Sequence, residues 1–486
     1  MYMVKRKPTL FEAISCIVVM AVLVGIGFGI FRMRVEPLLI ASAAYAGFIA
    51  KRTGMNWEEM EKAISEKIAK AMPAIFILFT VGIVVGTWVY SGTVPMMIYY
   101  GLKIINPKFF LVTAFMITAI ISTATGTAWG SAGTAGVALI GIASGLGIPI
   151  PIAAGAIVAG SVFGDKVSPL SDTTNLAALV TGVNLYDHIK HMFYTTIPSA
   201  LIALVVYLVI GLKGMGQLAI PETVSVLLNT LDSIYDWNVF LWLPVVIVIY
   251  GSICKKPTVP VMLVSSVAAV FIGMFSHGFT FVDGINSMVK GFNVNMVTAQ
   301  GFDPSSVIWE VTRLINRGGI MSMTGIAVIV FCAYSFAGIV EETGCLSVIL
   351  ESFYSKVKTV GQLVVVTIIG SIILVFTAGT AFISILMIGE LLKEAYLKKG
   401  LHLKNLSRTL EDAGTMIVAL VPWSTSGVFY LATLGISPID FWMWAIPNYL
   451  CIIFAIIYAY TGFGIAKIDS DSKISCEIIK TIEKPS

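Results

Sequence analysis

Residues 164–175 read GDKVSPLSDTTN and gather two carboxylates, an ammonium and several hydroxyls around one proline. Immediately before them, from Phe109 to Gly164, the chain carries no Asp, Glu, Lys, Arg or His. Proline has no amide hydrogen, so Pro169 frees the carbonyl four residues earlier, that of Asp165, from its helical bond. Carbonyls, carboxylates and hydroxyls are hard oxygen donors, the set that suits a hard cation such as sodium. Asp165 and Asp172 are therefore the candidate carboxylate ligands for Na+, with Ser171, Thr173 and Asn175 as neutral partners. An ionisable residue beside so apolar a run is costly and points to function. Plainer roles stand next to this one. Asp172 fits the N-cap of a half-helix starting near Thr173, and hydroxyls in apolar helices commonly bond back to their own backbone. Lys166 is either a counter-ion or a side chain reaching for the interface.

A second constellation lies further along. Pro422 frees the carbonyl of Val418 by the same arithmetic, among Ser424, Thr425 and Ser426. Two Gly-Thr turns add oxygen donors: Thr125 and Thr127 flank Gly126, and Thr377 and Thr380 flank Gly379. Thr125 and Thr127 join the first candidate site. Thr377, Thr380, Ser424, Thr425 and Asp412 form a second one, for a cation or a substrate. Glu411 and Asp412, in NLSRTLEDAGT (405–415), fall near the depth in repeat two that corresponds to Asp165, or else end a helix at the interface where Arg408 neutralises them. His188 and His191, in YDHIKH (186–191), are expected in a solvated connection, and Glu341, Glu342, Lys356 and Lys358 at span ends.

The elements that must position these residues are set by composition. Of 486 residues 57% are hydrophobic and 12% charged, with a mean hydropathy of +0.92. That charge content is about half that of a soluble domain. Apolar runs long enough for a ~30 Å hydrocarbon core recur along the chain. Spans are expected near 10–31, 35–50, 73–90, 108–125, 148–164, 192–212, 238–254, 258–276, 320–340, 359–377, 410–421 and 439–465, with an interfacial amphipathic helix at Trp57–Ala71. The predicted class is an all-α polytopic membrane protein, multi-pass in the cell (cytoplasmic) membrane with the lipid bilayer as its partner. Lys5, Arg6 and Lys7 before the first span favour a cytoplasmic N-terminus, and that span reads as an anchor without a cleavage site.

Several functions are excluded by what is missing. A net charge of +4 without a basic stripe gives no nucleic-acid surface. The six cysteines are scattered singly, without metal or redox spacing. No zinc-protease or nucleophile-elbow motif is present, and Val162 stands where an intramembrane aspartyl protease needs glycine before Gly164-Asp165. The chain is read as a non-enzyme with no resident cofactor.

The breaks recur at one offset. Trp57-Glu58 returns as Trp309-Glu310, Gly86 and Gly92 as Gly338 and Gly344, GTAW (126–129) as GTAF (379–382), and PLSDT (169–173) as PWSTS (422–426). The expected organisation is an N-terminal segment and first span (1–34), repeat one (35–214), a two-span linker (215–289), repeat two (290–465) and a polar tail (466–486). Repeat one would hold a re-entrant hairpin near 126–147 and a broken helix near 164–175, and repeat two a hairpin near 379–396 and a broken helix near 412–427. Interrupted segments at corresponding places in two repeats, one plausibly inverted against the other, point to a transporter's binding site.

GSVFGDKVSPLSDTTNLA (160–177), LSRTLEDAGTMIVALVPWSTSG (406–427) and TATGTAWGSAG (123–133) together resemble the NhaC family of sodium/proton antiporters. The resemblance spans essentially the whole chain. It implies two inverted repeats, a scaffold and a mobile transport domain, an elevator motion, a homodimer, and Na+ and H+ as cargo. Its relatives include exchangers that couple sodium to a small carboxylate, such as malate against lactate, with Lys166 and the half-helix at Thr173 as the anion's partners.

Overall fold

The computed structural model describes residues 6–31, 33–214, 221–254, 256–298, 302–307, 309–354 and 357–468. Expectations for Lys5, Lys356, most of the C-terminal tail and part of the linker lie outside them. The described chain is helical throughout, without a β-strand apart from an isolated bridge between Leu401 and Lys467.

Helices α1 (Leu10–Val24), α2 (Val35–Arg52), α3 (Trp57–Tyr90) and α4 (Thr93–Ile104) come first. The first hairpin pairs α5 (Phe110–Thr125) with α6 (Ala128–Ser131), a π-helical turn (Ala132–Gly136) and α7 (Val137–Gly145). The first interrupted helix is α8 (Ile150–Val167) and α9 (Asp172–Thr181), followed by α10 (Leu185–Gly214). Then come α11 (Pro221–Ile234), α12 (Leu243–Ile253), α13 (Thr258–His277), α14 (Phe281–Lys290) and α15 (Trp309–Ile315). Next are α16 (Ile320–Glu342), α17 (Cys345–Tyr354), and the second hairpin, α18 (Val360–Ala378) with α19 (Ala381–Lys398). The second interrupted helix runs through α20 (Lys404–Leu410), a π-helical turn (Glu411–Thr415), α21 (Met416–Val418) and, past the break, α22 (Thr425–Leu434). The short α23 (Pro438–Phe441) and α24 (Ile446–Thr461) close the fold.

Among the described residues, eight helices are long and apolar enough to cross a membrane, or up to ten if each of two sharply bent helix pairs counts as one span. The chain is thus an all-α multi-pass membrane protein with broken helices. The expected span at 410–421 is instead short helical pieces around a π-helical turn, because that turn and Pro422 interrupt the backbone ladder. Trp57–Ala71 is not a separate interfacial helix either. An Asn56–Glu59 capping box starts α3, which continues unbroken through the next span for 34 residues. Met60, Ala63, Lys67 and Ala71 line its buried face. Glu341, expected at an ordinary span end, pairs with Lys67 and ties α16 to α3.

Details recur at the predicted offset. Gly126 (φ +69°) and Gly379 (φ +70°) each end a helix in the left-handed region, and Thr127 and Thr380 then cap the helices that follow. Ser131 Oγ donates to Thr118 O (2.7 Å), and Ser384 Oγ to Ser371 O (3.1 Å), so each hairpin is pinned across its legs by the same bond. The recurrence is incomplete at the start: Trp309 opens a short α15, separated from α16 by Gly318 and Gly319, whereas α3 has no such break.

The two turns differ in how tightly they are packed. A Cβ on Gly126 would meet Leu170 Cβ at 2.5 Å and its backbone at 2.6 Å, while one on Gly379 would meet the Tyr334 ring at 3.2 Å. Gly379→Ala should cost the left-handed penalty alone, about 1–2 kcal/mol. Gly126→Ala should cost roughly 1–3 kcal/mol more through overpacking, read as a lower thermal midpoint in detergent.

Candidate functional site

Each break is held against its own hairpin tip. Ser168 Oγ donates to Thr123 O (2.8 Å) at the first, and Leu170 covers Gly126. At the second, the Thr425 amide donates to Gly379 O (2.8 Å) and Trp423 Nε1 to Phe376 O (2.7 Å). The breaks also reach across. α9 packs on α19, with Gly389 against Val180. α22 packs on the first hairpin, where Trp129 and Phe429 stack at 5.1 Å and Trp129 Nε1 donates to Ser426 Oγ (3.2 Å). Each broken helix is therefore gripped by both hairpins.

The proline-freed carbonyls do not stay free. Asp165 O accepts the Ser168 amide (3.1 Å), and Val418 O accepts Ser424 Oγ (2.5 Å). Each break turns tightly enough to bring a local donor back, so these two carbonyls are engaged before any ion arrives.

Asp165 sits at the end of α8 with Ser171 and the Ala128 amide facing its carboxylate, and Asp172, Glu411 and Tyr430 within electrostatic reach. Among the described residues it forms no ion pair. Ser171 is buried and lies 3.2 Å from the Thr173 hydroxyl. Asp172 is exposed and opens α9; the N-cap position belongs to Ser171, so the expected cap at Asp172 is displaced by one residue. Asn175 is also exposed, and its amide braces the break by donating to Pro169 O (2.9 Å) and Ser171 O (2.7 Å).

The threonines behave as back-bonded hydroxyls. Thr125 donates to Ile121 O (2.8 Å) and Thr377 to Ile373 O (2.7 Å), while Thr127 and Thr380 accept backbone amides as caps. A hydroxyl whose proton is spent on its own helix presents only lone pairs to its surroundings. The bonding therefore leaves Thr125 and Thr377 able to face a cation. Ser424 spends its hydroxyl on Val418 O and Val421 O and accepts the Gly427 amide, which makes it the brace of the second break. Thr425 is half-buried at the first position of α22.

The charges that the sequence left between interior and interface are inside. Lys166 and Asp412, both fully buried, form an ion pair between the first interrupted helix and the second. Asp412 Oδ1 also accepts Thr195 Oγ1 (2.9 Å) from α10. Lys166 thus does not snorkel, and Asp412 faces Lys166 rather than Thr377 and Thr380. Arg408 is fully buried and donates Nη1 to Gly464 O (2.8 Å), so NLSRTLEDAGT is not an interfacial terminus. His188 and His191 are buried as well, His191 against Asn405 Oδ1 (3.2 Å). The expected solvated connection is the first turns of α10, packed on α20 and α9. Sequence reasoning missed Thr195, Tyr430 and Asn448 around this centre. A usable signal existed: a lysine that ends an apolar helix needs a buried anion, and Glu411 and Asp412 are the carboxylates of the second motif.

A profile of the Na+/H+ antiporter family matches residues 160–463, which include both breaks and the second hairpin. The chain belongs to the Na+/H+ antiporter family. Relatives of nearly equal length agree. An uncharacterized Na+/H+ antiporter of Haemophilus influenzae is 47% identical over 464 residues, 95% of this chain and 98% of that one. The Na+/H+ antiporter NhaC of Alkalihalophilus pseudofirmus is 34% identical over 467 residues, 96% of this chain and 98% of its own. A malate-2H+/Na+-lactate antiporter of Bacillus subtilis is 33% identical over 460 residues, 94% and 96% of the two chains. Membership makes this antiporter-family chain a transporter, in line with the absence of catalytic motifs.

Burying both partners of an ion pair costs several kcal/mol of desolvation, and removing one partner strands the other. Lys166→Met or Asp412→Asn alone should destabilise the protein by about 3–5 kcal/mol. The double variant Lys166→Met/Asp412→Leu should regain most of that loss in thermal unfolding of the purified protein.

Proposed function

We propose that the protein extrudes Na+ across the cytoplasmic membrane in exchange for inward H+. The observation that carries this reading is Asp165: a carboxylate at a helix break, faced by Ser171 and the Ala128 amide, and without an ion-pair partner among the described residues. A carboxylate taken out of water must be neutralised. With Lys166 committed to Asp412, a proton or a metal cation is left to do it. The two compete for one group, and if only the neutralised site crosses the barrier, the exchange is obligatory. Asp172, Ser171, Thr173, Thr125 and Thr127 complete the Na+ shell in this reading, with Asn175 fixing the break. Family membership supports the choice of cargo.

The same reading includes two inverted repeats, an elevator-type alternating-access motion of the hairpins and broken helices, a homodimer, and a cytoplasmic N-terminus. Asp165→Asn should abolish Na+-dependent proton movement in everted vesicles while the protein still inserts at wild-type level. Normal antiport by that variant would overturn the assignment.

A second reading, exchange of sodium with an organic anion, is supported by the malate/lactate relative. The geometry weighs against it, since Lys166 is held by Asp412 and is not free to meet a carboxylate. Proteoliposomes should therefore take up no labelled malate or lactate above background, with or without a sodium gradient.

A further inference from the structure

The π-helical turn Glu411–Thr415 packs against α24, and several buried side-chain oxygens on the two make no hydrogen bond. Glu411 is fully buried, and neither of its carboxylate oxygens is engaged. Asp412 Oδ2, Thr415 Oγ1 and Asn448 Oδ1 are likewise buried and unpartnered. Their orientations are fixed by neighbours. Asp412 is held through its other oxygen by Lys166 and Thr195, and Asn448 donates Nδ2 to Met416 O (2.7 Å), so Oδ1 is the atom left over. Thr415 follows Glu411 by one turn on the same element and lies beside it.

Unsatisfied buried carboxylate oxygens are among the most expensive groups a protein can hold. Lys166, the cation that acts most strongly on Glu411, is already shared with Asp412, and Arg408 spends Nη1 on Gly464 O. A small positive ligand would neutralise these oxygens. The four groups offer carboxylate, hydroxyl and amide oxygens, the chemistry of a hard cation. π-turns of this kind are frequent at functional sites.

We infer that Glu411, Thr415, Asn448 and the free oxygen of Asp412 form a second Na+ site, beyond the one at Asp165. The inference rests on the reading of Na+ as cargo. The two stations lie within electrostatic reach of each other. A cation at one raises the cost of a cation at the other, so the second ion should bind more weakly than the first.

The test is the number of Na+ ions bound per chain, measured with radioactive 22Na+ on purified, detergent-solubilised full-length protein. Wild type should bind two, and Glu411→Gln and Asp165→Asn one each. Loss of a single wild-type site in Asp165→Asn, with Glu411→Gln unchanged, overturns the inference and leaves the proposed function standing. A single wild-type site lost only in Glu411→Gln overturns the two-site inference and moves the cargo site from Asp165 to Glu411. No binding by wild type overturns both. Should Glu411→Gln fail to fold, Asn448→Ala in the Asp165→Asn background serves instead. Losing one neutral ligand should weaken the remaining site by roughly tenfold, and an unchanged affinity counts against it.

Discussion

The buried pair of Lys166 and Asp412 constrains the rest of the site. Neither charge is stable in that interior without the other, so the end of α8 and the turn after α20 must meet wherever the protein is folded. α10 adds Thr195 to the pair, and Cys451 of α24 contacts the Thr195 carbonyl at 3.7 Å. Four separate elements thus converge on one ion pair. Residues 165 and 411, each next to a pair member, inherit their depth from it. The Glu411 carboxylate is carried into the interior, and that of Asp165 to a half-buried position, by neighbours whose charges are already cancelled.

The hairpins and breaks solve a different problem, that of keeping irregular backbone at membrane depth. Such backbone is tolerated where protein covers it. Here each break is covered twice, by the tip of its own hairpin and by the body of the other. Gly126 and Gly379 allow the tips to turn, and the Ser131 and Ser384 bonds keep the legs together. The outcome is two interlocked units: displacing one hairpin disturbs both interrupted helices.

How much of this was legible in the sequence depended on range. Pro169, Pro422, Gly126 and Gly379 act on residues within one or two turns, so the breaks, the tips and their repeat offset could be read directly. The pairing of Lys166 with Asp412 spans 246 positions and leaves no local trace. Charge also misled where it was read as exposure. YDHIKH looked like a solvated connection because it is polar, yet its histidines turn inward on a helix whose other face carries Tyr186 and Asp187. Trp57–Ala71 was read as interfacial for the same reason. Its amphipathic period was correct, but the buried Lys67 pairs with the half-buried Glu341, so the charged stretch continues into the span instead of ending before it.

That continuity has a mechanical consequence. A helix of 34 residues is about 51 Å long, well over the ~30 Å of a hydrocarbon core. Its early residues, Met60, Ala71, Ile75 and Leu78, belong to one hydrophobic core, and its late ones, Val81 to Tyr90, to another. α3 is a strut bolted to two bodies, with Pro73 as its one internal weak point, where the Ala69 carbonyl has no ladder amide to accept. Any shift of one body against the other is borne by this strut as bending strain, and Pro73 is where the strut yields most cheaply.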